Sequence, residues 1–194
     1  MEQITNVLYW ISTGLMIPVT LFLIFFFIRS VLMIGGFYGI YISRTKVNMK
    51  INRELDTVAV VDFMKTLDGY DSNKSELIAT LNKINSTTNA ALIDKIVGDY
   101  EIIADKELGS SKLLVKIGPM LGLMGTLIPM GPALVGLATG DISSMASNMQ
   151  VAFATTVIGI IIGAIGFVTL QVKQRWAADD INILEYVSES VKQK

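Results

Sequence analysis

Threonine hydroxyls are the side chains of this chain that are best suited to chemistry in an apolar setting. Thr126, Thr155 and Thr156 lie in two consecutive stretches without charged residues, 117–140 and 142–172. A hydroxyl can donate a hydrogen bond to an anion and accept one from a neutral acid without carrying charge itself. A threonine in a lipid-embedded helix most often bonds its own preceding turn, so each position also has a purely local interpretation. Their occurrence on consecutive stretches favours a hydroxyl-lined polar path.

The composition excludes most other chemistry. The chain has no cysteine and no histidine, which removes disulfides, thiolate or imidazole metal sites, and the Ser-His and Cys-His forms of catalysis. We therefore predict no cofactor, no metal site and no enzymatic activity. A formal net charge of -1 without a long basic run argues against nucleic-acid binding.

The acidic residues are also absent from the apolar stretches. All seventeen Asp and Glu residues lie outside the runs 4–28, 117–140 and 142–172. Proton relays through membranes normally use a buried carboxylate or imidazole. If protons cross the membrane beside this chain, another polypeptide must supply the acid.

Hydropathy predicts an all-α membrane protein with three transmembrane helices. The 194 residues are 52% hydrophobic and 17% charged, and the three charge-free runs each exceed the roughly 20 residues that a helix needs to cross a bilayer. We predict one integrated domain over residues 1–194. Its parts are a first span at 1–28, a cytoplasmic helical segment at 29–112, a second span at 113–140, an external loop at 141–150, a third span at 151–172 and a cytoplasmic tail helix at 173–194.

A shorter apolar run, 31–42, follows Arg29. As a helix it would cover only about 18 Å, too little to cross a bilayer. We interpret it as a continuation of the first helix out of the membrane, with Arg29 at the interface; the alternative is a fourth short or re-entrant segment.

Basic residues predict the orientation. Ten of the sixteen Lys and Arg residues lie between 44 and 112 and four follow Val172, whereas the N-terminus and the connection around Asp141 have none. Because Lys and Arg accumulate on the cytoplasmic side, we predict an external N-terminus and a cytoplasmic C-terminus in the cell membrane. The N-terminus also lacks the basic region of a cleaved signal, so we expect the first span to be retained.

The central segment and the tail carry apolar stripes typical of amphipathic helices. In the central segment the stripe comprises Leu92, Ile93, Ile96, Val97, Tyr100, Ile103 and Leu108; in the tail it comprises Trp176, Ile181, Leu184, Tyr186, Val187 and Val191. Turn-forming residues predict helix breaks at 67–73, at 85–89 and at Gly109–Ser111.

Small residues predict close packing of the second and third spans. Such residues let helix backbones approach each other in lipid. On the third span one narrow arc holds the small residues and the two threonines, and we predict that Ile158, Ile161, Ile162, Ile165 and Val168 face lipid on the opposite arc. Prolines in the second span indicate contact with other helices or a hydrated path. The predicted packing residues are Pro119, Gly122, Gly125, Pro129, Gly159 and Gly163.

The two spans resemble the MotA, TolQ and ExbB proton-channel family. The segment PMLGLMGT is similar to the family's P-x-x-G-L-x-G-T signature, and AFATTVIG is similar to its A-L-x-T-T-x-x-G. The three-span layout is closest to the ExbB and TolQ branch. Pro129 stands where the family usually has glycine, and the third span lacks the proline of the family's A-I-P, so the chain resembles a divergent branch.

The resemblance implies a pentameric ring whose second and third spans line a pore. Inside it would lie the single-span helices of a smaller ExbD, TolR or MotB-like partner, in two copies, each bearing an essential aspartate. Thr126 and Thr156 match the family's pore-facing threonines. The implied function is that of a ring subunit in a motor or energy-transducing complex driven by a gradient of H⁺ or Na⁺, with the driven process left open.

Two other functions compete with this interpretation. A structural membrane scaffold would need the glycines and threonines for packing alone. A membrane-embedded enzyme would need catalytic groups near the bilayer, and the available carboxylates, Asp105, Glu107, Asp179 and Asp180, are predicted to lie on solvated helix faces.

Overall fold

The computed structural model describes residues 2–57, 76–87 and 89–192, and these residues form five α-helices without a strand. The helices are α1 (Glu2–Gly14), α2 (Met16–Thr57), α3 (Glu76–Asn85), α4 (Ala90–Thr139) and α5 (Ile142–Lys192). Three apolar segments are long enough to cross a membrane, within Asn6–Ile42, Ala90–Thr139 and Ile142–Lys192. The prediction of an all-α protein with three membrane helices is therefore confirmed.

Helices α1 and α2 are separated only at Leu15. Pro18 has no N–H and cannot bond the carbonyl of Gly14, which weakens the helix at this point. The ladder nevertheless continues on both sides, since Leu15 N–H donates to Ile11 O and Val19 N–H donates to Leu15 O, both at 3.1 Å. Helix α2 then runs unbroken through 31–42, so this run is a helix continuation and not a re-entrant segment.

Of the two predicted helix breaks that fall within the described residues, one is present. Helix α3 ends at Asn85 and α4 begins at Ala90, where the Asn89 carboxamide oxygen accepts a hydrogen bond from Ala91 N–H at 3.0 Å. The break predicted at Gly109–Ser111 is wrong because α4 passes through it. Ser111 is fully buried there and its hydroxyl accepts a hydrogen bond from Thr169 at 3.3 Å. The break predicted at 67–73 lies outside the described residues.

The connection between α4 and α5 is much shorter than predicted. Gly140 adopts a positive φ of 76°, and Asp141 N–H donates to Gly136 O at 2.8 Å, which closes the end of α4 in a Schellman motif. The Asp141 carboxylate then accepts from Ser144 N–H at 3.0 Å and caps α5. Because these two residues complete both helix ends, 142–150 are helical and the predicted loop at 141–150 is wrong beyond Asp141.

The described residues pack as two compact units. Unit 1 comprises Met1–Gly36 and Ser110–Leu170, and unit 2 comprises Phe37–Gly109 and Gln171–Lys194. The core of unit 1 centres on Leu23, Leu114 and Ile162. The core of unit 2 joins α3, α4 and α5 through Leu77, Ile78, Leu81, Ile84, Ile93, Val97, Tyr100, Ile183, Leu184 and Val187.

The predicted apolar stripes are only partly buried. Ile93, Val97, Tyr100, Leu184 and Val187 lie in the core of unit 2, as the periodicity predicts. By contrast, Leu92, Ile103 and Tyr186 are exposed. Tyr186 follows the fully buried Leu184 by two residues and so lies about 200° around α5 from it.

A buried ion pair joins three helices of unit 2. The Asp180 carboxylate is 2.8 Å from the Arg44 guanidinium and accepts a hydrogen bond from Tyr100 Oη at 2.6 Å. Asp180 is fully buried, so the prediction that it lies on a solvated face is wrong; Asp105, Glu107 and Asp179 are exposed as predicted. Burial lowers the pKa of Arg44, but Asp180 and Tyr100 outweigh this effect and leave that pKa raised, so Arg44 keeps its charge.

Removing the Asp180 carboxylate should destabilise the protein strongly. In Asp180→Ala, Arg44 loses its counter-ion inside unit 2, and we expect the free energy of unfolding to fall by about 3 kcal/mol. The control is Asp179→Ala, the exposed neighbouring carboxylate, which should change it by less than about 0.5 kcal/mol. Unfolding by SDS in mixed micelles, followed by helical circular dichroism, measures both. Equal effects of the two substitutions would show that the pair contributes no stability.

Candidate functional site

Helices α4 and α5 touch backbone to backbone in unit 1. A Cβ atom placed on Gly118 would lie 2.7 Å from both Gly159 O and Gly163 N. A Cβ on Gly159 would lie 2.6 Å from Gly118 O and 2.7 Å from Gly122 Cα. Real Cβ atoms do not approach backbone this closely, so only glycine fits at these positions. The structure thus brings together Gly122 and Gly159 from the predicted packing set.

The remaining predicted packing residues lie along the same pair of helices. A Cβ on Gly163 would lie 2.9 Å from Cγ of the Pro119 ring, and one on Gly125 would lie 2.5 Å from Thr155 Oγ1. Pro129 is buried within α4. Glycine therefore provides space for a proline ring at one level of the contact and for a threonine at another.

One part of the predicted lipid-facing arc is wrong. Ile162 is completely buried against Leu23 and Leu114, and Ile158 packs against the same cluster. The reason is that α2 covers a second face of α5 in addition to the face covered by α4. Ile161 and Val168 are exposed, as the prediction requires.

The three threonines differ in burial and in hydrogen bonding. Thr155 is 5% exposed, and its hydroxyl donates within its own helix to Ala152 O at 2.9 Å and Val151 O at 3.1 Å. Thr126 is half-buried and donates to Leu123 O at 2.7 Å. These two hydroxyls have short bonds to their own helices, which is the local interpretation of a membrane threonine.

Thr156 is held less tightly than the other two. It is half-buried, and its hydroxyl reaches Ala152 O at 3.2 Å and, across the helix pair, Gly122 O at 3.4 Å. Both distances exceed the range of about 2.5–3.0 Å usual for a hydroxyl donor. Thr126 lies one helical turn from Gly122, on the same helix that Thr156 contacts. Thr156 is therefore the hydroxyl of this site that can most easily be redirected to another acceptor.

The site has no charge of its own. Neither 117–140 nor 142–172 contains Asp, Glu, Lys, Arg or His. Within the described part of the chain, no group of three or more metal-ligating His, Cys, Asp or Glu side chains occurs. The helix pair can thus offer hydroxyls and backbone carbonyls to an ion or an acid, but no group that titrates near neutral pH.

A second hydroxyl cluster was missed by the sequence analysis. Thr169 and Ser111 are buried in unit 1, and the Ser111 hydroxyl lies 3.9 Å from the Met33 sulfur. Thr169 also donates to Ile165 O at 2.8 Å, so its own helix satisfies it. The available signal was position, because Thr169 follows Gly166 by three residues and so extends the small-residue arc of α5.

The fold is that of a multi-pass α-helical membrane protein. Its two longest helices, α4 and α5, are in contact through glycine residues. They carry threonine hydroxyls within stretches that have no charged residue. The model of the MotA/TolQ/ExbB proton channel family matches residues 74–185. This match spans more than half of the chain and includes the α4–α5 pair. The chain belongs to the MotA/TolQ/ExbB proton channel family.

One curated relative is distant. An ExbB homolog of Methanothermobacter thermautotrophicus, provisionally named a biopolymer transport protein, is 22% identical over 128 residues. The alignment covers 64% of this chain and 46% of that protein, so the chain spans just under half the length of the relative it matches. No solved structure matches the chain significantly.

Adding one methyl group to the glycine contact should separate α4 from α5. Gly159→Ala places a Cβ against Gly118 O and Gly122 Cα, and we expect the free energy of unfolding to fall by about 1–3 kcal/mol. Gly109→Ala, also inside α4, is the matched control, since no atom of another part of the structure lies within 4 Å of its added Cβ. SDS unfolding in mixed micelles compares the two. Equal stability of both variants would mean that the helices are not in backbone contact.

Proposed function

We propose that this chain is the ring-forming subunit of a membrane complex that uses an ion gradient to do work. In the proposed complex, the ring surrounds the single-span helices of an ExbD, TolR or MotB-like partner that carries the titrating aspartate. Membership of the proton channel family supports this function. The runs 117–140 and 142–172 have no ionisable residue. This supports a complex in which this chain supplies hydroxyls and the partner supplies the titrating acid.

The observation that carries the proposal is the weak attachment of the Thr156 hydroxyl. Its two acceptors lie at 3.2 and 3.4 Å, whereas Thr126 has one at 2.7 Å. Redirecting Thr156 to an incoming carboxylate would therefore cost little. Two long bonds would be exchanged for one short, charge-assisted bond.

The chemistry of a carboxylate at membrane depth requires such a partner. Low dielectric disfavours the charged form, so the acid either takes up a proton or finds hydrogen-bond donors. Thr156 would donate to the ionised aspartate, and the lone pairs of Thr126 would accept from the protonated one. Ion uptake and release would then move the aspartate between hydroxyls of the ring. Each charge that crosses 100 mV releases about 2.3 kcal/mol, which is available to bias that movement.

The proposed assembly follows the family resemblance. Five copies form the ring around two partner helices, with the N-terminus outside and the C-terminus in the cytoplasm. Both α4 and α5 expose large apolar side chains, including Met120, Leu127, Phe153 and Ile160, which are suited to contact with lipid or neighbouring copies. The transported ion is H⁺ or Na⁺, since hydroxyl and carbonyl oxygens suit either.

A structural scaffold is the second candidate. Thr155 favours it, because this side chain is buried and bonded within its own helix and needs no further role. The backbone contact of Gly118 and Gly159 also stabilises a helix pair whether or not ions pass. The two candidates differ in what they require of Thr156.

Thr156→Val should strongly reduce ion movement and leave the fold almost unchanged. Valine keeps the shape but removes the hydroxyl, and because the lost bonds are long we expect a stability change of less than about 1 kcal/mol. Gradient-driven flux through the complex purified with its native partner should fall at least about tenfold. The control is Thr20→Val in α2, whose hydroxyl makes an ordinary bond to Met16 O at 2.8 Å. Normal flux and normal cellular function in Thr156→Val would favour the scaffold.

The chain alone should not conduct. Oligomers of this chain reconstituted into liposomes have no titratable group in 117–140 or 142–172, so an imposed pH gradient should persist. A pH-sensitive dye inside the liposomes measures the leak, and protein-free liposomes provide the baseline. Rapid gradient-dependent flux without a second polypeptide would contradict the proposal that a partner chain supplies the titrating acid.

A further inference from the structure

Unit 2 contains a cavity of about 230 Å³ whose wall carries both signs of charge. The basic groups on the wall are Arg44 and Lys173, and the acidic groups are Glu76, Glu107 and Asp180. The indole of Trp176 forms part of the apolar wall. The volume suits a small polar group and not a folded segment of another protein.

Two opposite charges on this wall are not used by the buried ion pair. Asp180 is engaged by Arg44 and Tyr100, which leaves this network close to neutral. The Lys173 ammonium reaches the backbone oxygen of Glu107 only at 3.5 Å, the outer limit of a hydrogen bond, so most of its donor capacity remains. The Glu107 side chain is exposed on the same wall. The cavity therefore offers a cation and a carboxylate to one ligand.

The sequence position of Lys173 places its end of this cavity at the membrane surface. Lys173 is the first charged residue after the run 142–172 and so marks the end of the third apolar helix segment. Cations at the ends of membrane helices lie at the level of the lipid headgroups. Trp176 stacks on Phe37 with ring centroids 5.5 Å apart and has the amphipathic character of residues in membrane-interface belts.

We propose that this cavity binds the phosphoethanolamine headgroup of a membrane phospholipid, with its phosphate on Lys173 and its ammonium on Glu107. A purely anionic headgroup would bring a second negative charge to the carboxylates. A choline headgroup has no N–H to donate to Glu107. This inference depends on the chain lying in a membrane and not on ion conduction.

Quenching of Trp176 by brominated phospholipids tests the proposal. The experiment uses the full chain with Trp10→Phe, so that Trp176 is the single tryptophan. This variant is titrated in detergent micelles with brominated phosphatidylethanolamine, phosphatidylglycerol or phosphatidylcholine. We expect half-maximal quenching by the ethanolamine lipid at a mole fraction about tenfold lower than for the other two. Equal quenching by all three lipids, or stronger quenching by phosphatidylglycerol, would overturn the proposal.

Charge variants locate the binding groups. Glu107→Gln and Lys173→Gln should each weaken quenching by the ethanolamine lipid about tenfold, and Lys173→Arg should restore it. The matched controls are Glu101→Gln on α4 and Arg175→Gln on α5, which are exposed, lie outside the cavity wall and should leave quenching unchanged. Unchanged helical circular dichroism confirms that each variant is folded. If Glu107→Gln behaves like Glu101→Gln, the assigned ammonium site is wrong.

The same titration distinguishes a lipid from a soluble ligand. Soluble phosphoethanolamine at millimolar concentration lacks the acyl chains held by the bilayer, so it should not reverse quenching by the brominated lipid. Full reversal would assign the cavity to a soluble metabolite and refute the lipid as its occupant.

Discussion

The approach of α4 to α5 at Gly118, Gly122 and Gly159 is the contact on which the site depends. Helices in lipid gain no hydrophobic free energy by associating, so close packing and polar contacts must hold them together. Here the distance is so short that a single Cβ on Gly159 would meet the backbone of the partner helix. The same closeness lets the Thr156 hydroxyl reach the carbonyl of Gly122 on the other helix. If α4 and α5 lay further apart, the hydrogen bond from Thr156 to Gly122 O would be lost before the apolar contacts between the two helices.

The prolines of α4 are compatible with this contact because the helix continues through them. Pro119, Pro129 and Pro132 all lie inside α4, although each removes one backbone donor. In lipid the backbone has no alternative to a helix, so helical structure persists where water would permit a break. Pro119 also contributes directly, since its ring fills the space that Gly163 leaves open. Pro119, a residue type that weakens a helix in water, thus serves here as a packing surface.

The sequence predicted where the helices lie better than it predicted which helices pack against each other. The three apolar helices, the helical segment 31–42 and the break near Asn89 follow from length, hydropathy and turn chemistry, which are local properties. Ile162 was misassigned because periodicity identifies a helix face but not how many helices cover it. The loop at 141–150 was overestimated because a Schellman motif and an N-cap meet at Gly140 and Asp141 without a spacer. The burial of Thr155 and the partial exposure of Thr156 depend on the position of α4, which the pattern of α5 alone does not determine.

Asp180 shows how firmly a buried acid is held in this chain. Asp180 sits on the apolar stripe between Trp176 and Leu184, and it is stable there because Arg44 and Tyr100 surround one carboxylate oxygen. An acid fixed in this way is too strongly held to release and take up ions, since breaking a buried pair leaves an uncompensated charge. The acid of the proposed complex would need weaker and exchangeable partners, and the long bonds of Thr156 are of that kind. In the proposed complex, a mobile acid surrounded by hydroxyls would be able to cycle, whereas the ion pair of unit 2 holds α2, α4 and α5 together.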